Sequence, residues 1–131
     1  RLVAAVDTHL TRDGVIVGSN GGDGGLFPGI LARYLALVAV LLPGEAPADV
    51  EARATAGRIV HRSAEAAWAN RLTVDGLPIF GHDWAVPAVL PSSGEAIARA
   101  GGSVDSSRVA ERDLSVQLSA WMLLEAAVRV G

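Results

Sequence analysis

Two segments of the sequence have the length of a helix and almost no charge, and they limit the folds that the chain can adopt. The first runs from about Leu26 to Leu42, with Arg33 as its one charged residue. The second runs from about Ser107 to Val130 and has no charged side chain from Leu114 until Glu125. A helix that is apolar on every side is buried on most of them. Both segments are therefore predicted to be core helices.

The segment between them has a different pattern. A helix from about Ala48 to Asn70 has Glu51, Arg58, Arg62 and Glu65 on one face, which predicts an amphipathic surface helix. The short connection before it predicts that the first two helices are antiparallel neighbours. Inner, outer and inner helices in this order are what a toroid of helical hairpins requires, whereas a four-helix bundle would make every helix amphipathic.

Shorter elements are predicted on either side of these helices. Asp13-Gly14 precedes an extended stretch, and Asp75-Gly76 marks a small hairpin. Residues 81–94 contain two prolines and are predicted to form a long ordered loop. The fold class predicted is all-α with a small hairpin and loop insertion, and residues 1–131 are expected to form a single partial domain.

The composition predicts a chain that is part of a larger body. It is 50% hydrophobic over 131 residues, which is high for a small domain, because small domains have much surface to cover with polar groups. Arg1 at the start, in place of Met, also suggests a fragment. At roughly 25 cal/mol per Å² of apolar surface, a few hundred exposed Å² forfeits several kcal/mol. The chain is therefore expected to pack against a missing segment or to self-associate.

Charge and residue usage exclude several functions. A net charge of −3 argues against nucleic-acid binding. Without cysteine there is no thiolate catalysis or Cys-ligated zinc, and without lysine there is no Walker-type phosphate loop. The three histidines show no ligand spacing, and a calcium turn at Asn20 and Asp23 has no repeat to support it, so no metal or cofactor is predicted. The apolar run Leu35–Leu42 is too short to span a bilayer, so membrane insertion is not expected.

Four motifs occur in an order that resembles the C-terminal part of glycoside hydrolase family 76, the α-1,6-mannanase family. They are DGGLFPGILARYLALVA, AEAAWANR, FGHDWAVPA and ERDLSVQLSAWMLLEAA, and they extend from about His9 to Val128. The resemblance implies an (α/α)6 toroid and endo-acting, retaining hydrolysis of α-1,6-linked mannose chains. It also suggests a bacterial protein of carbohydrate metabolism outside the cytoplasm, although the chain has no signal peptide. Pro28 stands where the family usually has lysine.

Retention needs two carboxylates about 5–5.5 Å apart. The resemblance implies a pair of neighbouring aspartates in the N-terminal half of the enzyme. None of the eight Asp and six Glu of this chain is adjacent to another. The pair is therefore expected outside this chain, and no catalytic residue is assigned within it.

Three candidate substrate-binding residues lie around the first core helix. Asp23 precedes its first turn, where a carboxylate can accept N–H groups or bind sugar hydroxyls at an inner rim; a helix cap alone would explain it equally well. Phe27 belongs to the Phe-x-Gly-Ile motif that carries the resemblance. Arg33 is isolated in an apolar helix, so it must be paired or reach a wet cavity, and a salt bridge is favoured.

The other candidates lie in the loop and the last helix. Trp84, next to Asp83, can stack on a sugar ring or plug the space beneath the loop. Gln117 and Ser119 can line a central cleft or bond to neighbouring backbone, and the cleft is slightly favoured. Trp68 and Trp121 are predicted to pack in the core.

The sequence thus predicts one side of the sugar-binding cleft of a mannanase-like enzyme, inactive as the isolated 131 residues. The alternative is a non-catalytic helical module that binds a glycan or a partner chain through its apolar inner face.

Overall fold

The computed structural model describes residues 1–18, 20–90 and 110–131. Within them the chain forms four helices and two antiparallel strand pairs. In chain order these are α1 Leu2–His9, β1 Thr11–Arg12, β2 Val15–Ile16, α2 Phe27–Leu41, α3 Pro47–Asn70, β3 Leu72–Val74, β4 Leu77–Ile79 and α4 Leu114–Val130. Short 3-10 turns, Gly22–Leu26 and Ala110–Arg112, precede α2 and α4.

Helices α2 and α4 run side by side in the same direction and are in close contact. A Cβ atom on Gly29 would lie 2.5 Å from the carbonyl oxygen of Ser119, and one on Gly25 would lie 2.6 Å from Ser115 Oγ. Gly25 contacts Ser115 and Gly29 contacts Ser119, so the residue numbers of the contacting positions increase in the same direction along both helices. The two helices are therefore parallel. The absence of side chains at the two glycines permits this separation, because helix spacing is set by the side chains at the contact.

Helix α3 covers one side of this pair and supplies much of the core. It follows α2 after five residues, so it packs antiparallel to it. Its buried positions include Ile59, Val60 and Ala67, which pack against buried residues of the other two helices. The other buried apolar side chains of the described core are Ile16, Ala32, Leu35, Ala36, Ala56, Ala64, Phe80, Trp84, Ala120, Leu123 and Ala126.

The N-terminal segment is attached to α3 by polar contacts. The backbone N–H of Ile16 in β2 donates to Ser63 Oγ at 3.0 Å, and both residues are buried. Arg58 on α3 donates to Asp7 on α1 at 2.8 Å. The buried Ser63 hydroxyl therefore satisfies a backbone N–H group that the two-residue strand leaves free.

Both strand pairs have tight two-residue turns at the predicted Asp-Gly positions; the hairpin at Asp75-Gly76 was predicted, and the pairing of β1 with β2 was not. Asp13 and Gly14 have φ of 54° and 79°, and Asp75 and Gly76 have φ of 51° and 80°. Positive φ at both central residues is the requirement of a type I′ hairpin turn, which Asp-Gly meets at low cost. The predicted second helix is also confirmed, with one residue added at its start.

The last helix begins later than predicted. It starts at Leu114, because Asp113 has an extended backbone (φ −79°, ψ 126°) and residues 110–112 form a 3-10 turn. The start predicted at Ser107 lies in residues 91–109, outside the described residues, as does the end of the predicted long loop.

The expectation that the two apolar helices are buried on most sides is wrong within this chain. Tyr34 and Leu41 of α2 are 65% and 64% exposed, and Leu114 and Val128 of α4 are 71% and 84% exposed. Each helix packs on α3 and on the other, and α4 also holds the loop around Phe80. The described residues leave the four side chains above largely uncovered. The sequence pattern shows which sides of the helices are apolar, and it does not show which of those sides the described residues cover.

Because α2 and α4 approach closely at Gly29, one added methyl group there is predicted to lower the free energy of unfolding markedly. Gly29→Ala places a Cβ against the backbone of Ser119, so we expect destabilisation of about 1–3 kcal/mol, as for other overpacked positions. Urea unfolding measures this. Gly57→Ala on α3 is the control, since its nearest neighbour is the Val130 side chain at 3.3 Å and alanine favours a helix by up to about 1 kcal/mol. Equal stability of the two variants would contradict the close packing of α2 on α4.

Candidate functional site

The N-terminal ends of α2 and α4 form one edge of the molecule, because the two helices are parallel. This edge, named the rim here, consists of the turn Gly22–Leu26 and residues 113–115 at the start of α4. The backbone N–H of Gly22 donates to Asp113 Oδ2 at 2.8 Å. The glycine-rich turn is thus held against the start of the neighbouring helix.

Asp23 lies on this turn with an exposed side chain. Helix α2 has Leu26 at its N-cap position and no side-chain capping bond, so the capping alternative for Asp23 is not observed. The carboxylate is instead presented to solvent near the positive end of the α2 dipole, which stabilises negative charge. Asp23 is therefore available to an external hydrogen-bond donor.

Gln117 holds the loop after β4 against α4. Its Nε2 donates to the carbonyl oxygens of Phe80 and Glu111, each at 2.9 Å, and its Oε1 accepts the N–H of Phe80 at 3.0 Å. Ser119 is 2% exposed and accepts the N–H of Gly29 at 2.7 Å. Both side chains thus bond to backbone, the second of the alternatives that the sequence left open.

Trp84 and Asp83 have separate roles in this loop. The Trp84 ring is 2% exposed and packs in the core, which is the plug alternative, and its carbonyl accepts Asn70 Nδ2 at 2.9 Å. Asp83 bonds to Arg12 at 2.7 Å and accepts the N–H of Ala85 at 3.0 Å. Neither side chain is presented as a free sugar ligand; together they fix the loop on the core and on the N-terminal hairpin.

The environment of Asp83 lowers the pKa of its carboxyl group. Partial burial raises this pKa, but the hydrogen bonds from Arg12 and the Ala85 amide, with the charges of Arg12 and His82, lower it by more. The same hydrogen bond raises the pKa of Arg12. Asp83 therefore stays ionised below the usual range of an aspartate.

Phe27 and Arg33 lie on exposed parts of α2. Phe27 is 63% exposed and borders an apolar depression of about 380 Å³ shared with Leu10 and Val17. Arg33 borders a small cleft between α2 and α4, of about 110 Å³, with Glu125 and Arg129. Within the described residues Arg33 forms no salt bridge, so the pairing favoured for it is not observed and its head group reaches solvent.

Two tryptophans expected in the core are about half or more exposed. Trp121 is 63% exposed and donates from Nε1 to Glu125 at 3.2 Å, so the packing predicted for it is wrong within this chain. Trp68 is 48% exposed, with the Arg71 guanidinium 3.8 Å from its ring centroid and Phe80 at 6.3 Å. The helical spacing of Trp121 correctly shows an apolar side of α4, but no element of the described chain covers it.

The sequence analysis assigned no role to Glu111. Its side chain is 7% exposed, accepts the N–H of Val89 at 3.3 Å and lies 3.8 Å from His82 Nδ1. The contact between His82 and Glu111 joins residues 29 positions apart, so no local spacing in the sequence indicates it. No group of three potential metal-ligating side chains occurs in the part of the chain that the structure describes.

One described segment, Gly22–Leu41, is long and apolar enough to cross a membrane by length and composition. Its mean hydropathy is 1.8, and a third of it is buried within the chain. The core helices of soluble proteins meet the same criterion, and this segment combines the glycine-rich turn with the core helix α2. The finding is weak evidence for a membrane span.

The fold matches three solved structures of one enzyme. The GH76A α-1,6-mannanase from Salegentibacter sp. HEL1_6 aligns with 98% of this chain at a TM-score of 0.68 and 29% sequence identity. An inactive variant of it, with two consecutive aspartates replaced by alanine and α-1,6-mannotetrose bound, aligns at 0.67 and 27%. A second inactive variant, with asparagines at the same positions and α-1,6-mannotriose bound, aligns with 94% of this chain at 0.63 and 28%. No family model matches this sequence, and no similar curated protein was found.

These matches define the class of protein. The chain is a partial helical toroid with a glycoside hydrolase family 76-like fold. The resemblance indicated by the four motifs and the predicted fold class are both confirmed. The chain spans about a third of the length of the mannanase chains that it matches, between 29% and 31%.

The three hydrogen bonds of Gln117 predict that a substitution which removes them lowers the stability of the fold, even when it keeps a similar helix propensity. Gln117→Met keeps the length of the side chain but leaves the N–H of Phe80 unpaired, so we expect a loss of about 1–3 kcal/mol. Chemical denaturation followed by tryptophan fluorescence measures it. Leu118→Met, at an exposed neighbour, is the control and should have little effect. An unchanged midpoint for Gln117→Met would show that these bonds do not hold the loop.

The Arg12–Asp83 pair predicts a pH-dependent stability difference. Because the folded pKa of Asp83 is lowered, its contribution is fully present above the unfolded pKa of about 3.9 and is lost as pH falls through the lower folded pKa. Arg12→Gln should therefore be less stable than the wild type at neutral pH, and the difference should shrink in acid. Urea unfolding of both proteins at neutral pH and in acid, below the unfolded pKa of Asp83, measures this difference. Arg33→Gln, which removes an arginine that forms no salt bridge within the described residues, is the control. A difference that is independent of pH would contradict the pairing.

Proposed function

We propose that this chain is part of a retaining endo-α-1,6-mannanase-like glycoside hydrolase and forms one side of its sugar-binding cleft. The observation that supports this most strongly is the alignment of 94–98% of the chain with the GH76A mannanase at TM-scores of 0.63–0.68. Two of those structures contain α-1,6-linked manno-oligosaccharides. The ligand class proposed for this chain is accordingly an α-1,6-linked mannan.

The rim is the part of the chain proposed to contact the sugar. Asp23 presents an exposed carboxylate there, and the bond from Gly22 to Asp113 fixes the turn that carries it. A carboxylate can accept hydrogen bonds from two sugar hydroxyls, and charge-assisted bonds of this kind are stronger than neutral ones. Gln117, Ser119, Asp83 and Trp84 are positioning residues in this proposal, because they hold α2 and the loop after β4 in place.

The chemistry requires groups beyond this chain. A retaining mechanism uses one carboxylate as nucleophile and a second as acid and base, about 5–5.5 Å apart. The inactive mannanase variants each lack two consecutive aspartates, and this sequence contains no two consecutive acidic residues. The proposed enzyme therefore carries its catalytic pair on another part of the toroid.

The proposal predicts that the isolated 131 residues release no product from α-1,6-mannotetraose. A denaturing mass spectrum of the natural gene product should show a mass above 13.5 kDa, and its peptide map should contain two consecutive aspartates. That larger polypeptide should cleave the tetrasaccharide. Turnover by the 131 residues alone would contradict the assignment of the catalytic pair, and an inactive larger polypeptide would favour the non-catalytic binding module.

Asp23 is tested in the same larger polypeptide. Asp23→Asn removes the charge of the hydrogen-bond acceptor, so we expect kcat/KM for α-1,6-mannotetraose to fall about ten-fold or more, the effect of one charge-assisted bond. Because Asp23 is exposed and does not cap α2, the thermal midpoint should not change. Glu51→Gln, on the exposed start of α3, should alter neither quantity. Unchanged kcat/KM for Asp23→Asn would remove Asp23 from the sugar site.

A further inference from the structure

His82 lies in the loop after β4, and the two nitrogens of its ring have different surroundings. The Nδ1 atom is buried and has no hydrogen-bond partner within the described residues. The side chain as a whole is 36% exposed, so the open part of the ring is the edge away from Nδ1, which carries Nε2. One nitrogen of the imidazole is thus directed into the protein, while the other is available at the surface.

Glu111 is the carboxylate that the buried nitrogen faces. The distance from His82 Nδ1 to Glu111 Oε1 is 3.8 Å, which is longer than the roughly 2.7–3.2 Å of a hydrogen bond. The carboxylate is buried and accepts the N–H of Val89 at 3.3 Å. A Cβ on Gly81 would lie 3.4 Å from Oε1, so the loop backbone also packs on this group. A shortening of roughly 1 Å would pair the buried nitrogen with the carboxylate.

Two contacts place this pair beside the rim. On one side, Gly18 has no room for a side chain against the carbonyl oxygen of His82, and Gly18 precedes the glycine-rich turn by only a few residues. On the other side, Glu111 belongs to the 3-10 turn that ends just before Asp113. Asp113 accepts the N–H of Gly22. The imidazole therefore adjoins both of the segments that form the rim.

We propose that His82 is a further sugar-contacting residue at the rim, and that Glu111 is the positioning residue that sets the orientation of its ring. In the complex, Nδ1–H donates to Glu111, and Nε2 accepts a hydrogen bond from a hydroxyl group of the mannan. A neutral imidazole has one N–H donor and one acceptor nitrogen, so a proton held on Nδ1 leaves the outer nitrogen as an acceptor. This inference rests on the proposed function, because it takes the mannan at the rim as the ligand.

The surroundings of the ring favour this arrangement. Asp83, the next residue, already bonds to Arg12 and to the Ala85 amide, which leaves Glu111 as the carboxylate for Nδ1. A buried nitrogen without a partner costs free energy, and closure of the contact with Glu111 recovers it. Hydrogen bonds in active sites are often long until the substrate binds and then tighten. Binding of a hydroxyl group to Nε2 and closure of the inner contact would therefore stabilise each other.

A purely structural role is the main competing explanation. In that case Nδ1 fastens the loop to Glu111, and Nε2 contacts no ligand. Two substitutions distinguish the roles because their amide groups reach different ring positions. His82→Asn places its amide near the position of Nδ1 and has nothing at Nε2, whereas His82→Gln extends its amide to the position of Nε2 and has nothing at Nδ1.

The test measures kcat and KM for α-1,6-mannotetraose in the complete natural gene product. We expect His82→Asn to raise KM about three- to ten-fold, the effect of one neutral hydrogen bond. The value of kcat should not change, because the bond is made to the bound substrate and to the transition state alike. His82→Gln should keep KM near the wild-type value. His61→Asn is the matched control on α3, outside the rim, and should leave KM unchanged.

Glu111 is tested through its effect on His82. Glu111→Gln keeps an acceptor for Nδ1–H and should leave KM near the wild-type value, whereas Glu111→Met removes the acceptor and should raise KM. In the His82→Asn background, Glu111→Met should raise KM by less, because the two side chains act through one contact. KM does not depend on the amount of folded enzyme, so a loss of stability does not obscure this comparison.

Two results would overturn the proposal. One is an unchanged KM for His82→Asn. The other is a KM that rises for His82→Gln and not for His82→Asn, which would show that the histidine serves only to fasten the loop. An equal effect of Glu111→Met in both backgrounds would overturn the positioning role of Glu111.

A binding measurement separates this result from that of the mannanase assay. Calorimetric titration with α-1,6-mannotetraose gives the affinity of each variant without requiring turnover. Weaker binding by His82→Asn in a polypeptide that does not hydrolyse the tetrasaccharide would support the contact and reject the enzymatic activity. Hydrolysis with a KM that is the same for His82→Asn and the wild type would support the activity and reject the contact.

Discussion

The close parallel contact between α2 and α4 is the constraint on which the rest of the structure depends. It exists because Gly25 and Gly29 have no side chain where Ser115 and Ser119 approach, and because Ser119 satisfies a backbone N–H that the contact buries. Once the helices are this close, α3 can cover both, and their N-terminal ends reach the same edge. The rim and the core are both consequences of that one approach.

The polar side chains at the start of α4 hold the fold in place, whereas the candidate site presents a different side chain to solvent. Gln117, Ser119 and Asp113 all bond to backbone of other segments. They set where the loop, α2 and the glycine-rich turn lie, while the exposed carboxylate of Asp23 stays available. A side chain on an inner helix can thus serve a binding site through position alone, with no contact to the ligand.

Much of the fold could be predicted from the sequence, because it is encoded locally. The lengths of α2 and α3 follow from apolar spacing and proline, and both tight turns follow from Asp-Gly, although only the hairpin at Asp75-Gly76 was predicted. The start of α4 was missed, since the extended backbone at Asp113 is stabilised by a contact with Gly22, 91 residues away. The exposure of Tyr34 and Trp121 was missed for a related reason: periodicity shows that a side is apolar, and not whether this chain supplies the partner.

The candidate site was less predictable for the same physical reason. Asp23 was predicted from the turn that carries it, and its role at a sugar site stays a prediction. The burial of Trp84 and the bonds of Gln117 depend on segments far apart in sequence. The bonds of Gln117 have a consequence for the loop itself. They reach main-chain atoms of Phe80 and Glu111 and no side chain, so this attachment of the loop does not depend on the residue types at those two positions. With Trp84 and Asp83 retained as the side-chain anchors, exposed loop residues such as Val86 can change in evolution, altering what the surface recognises, while the path of the chain is kept.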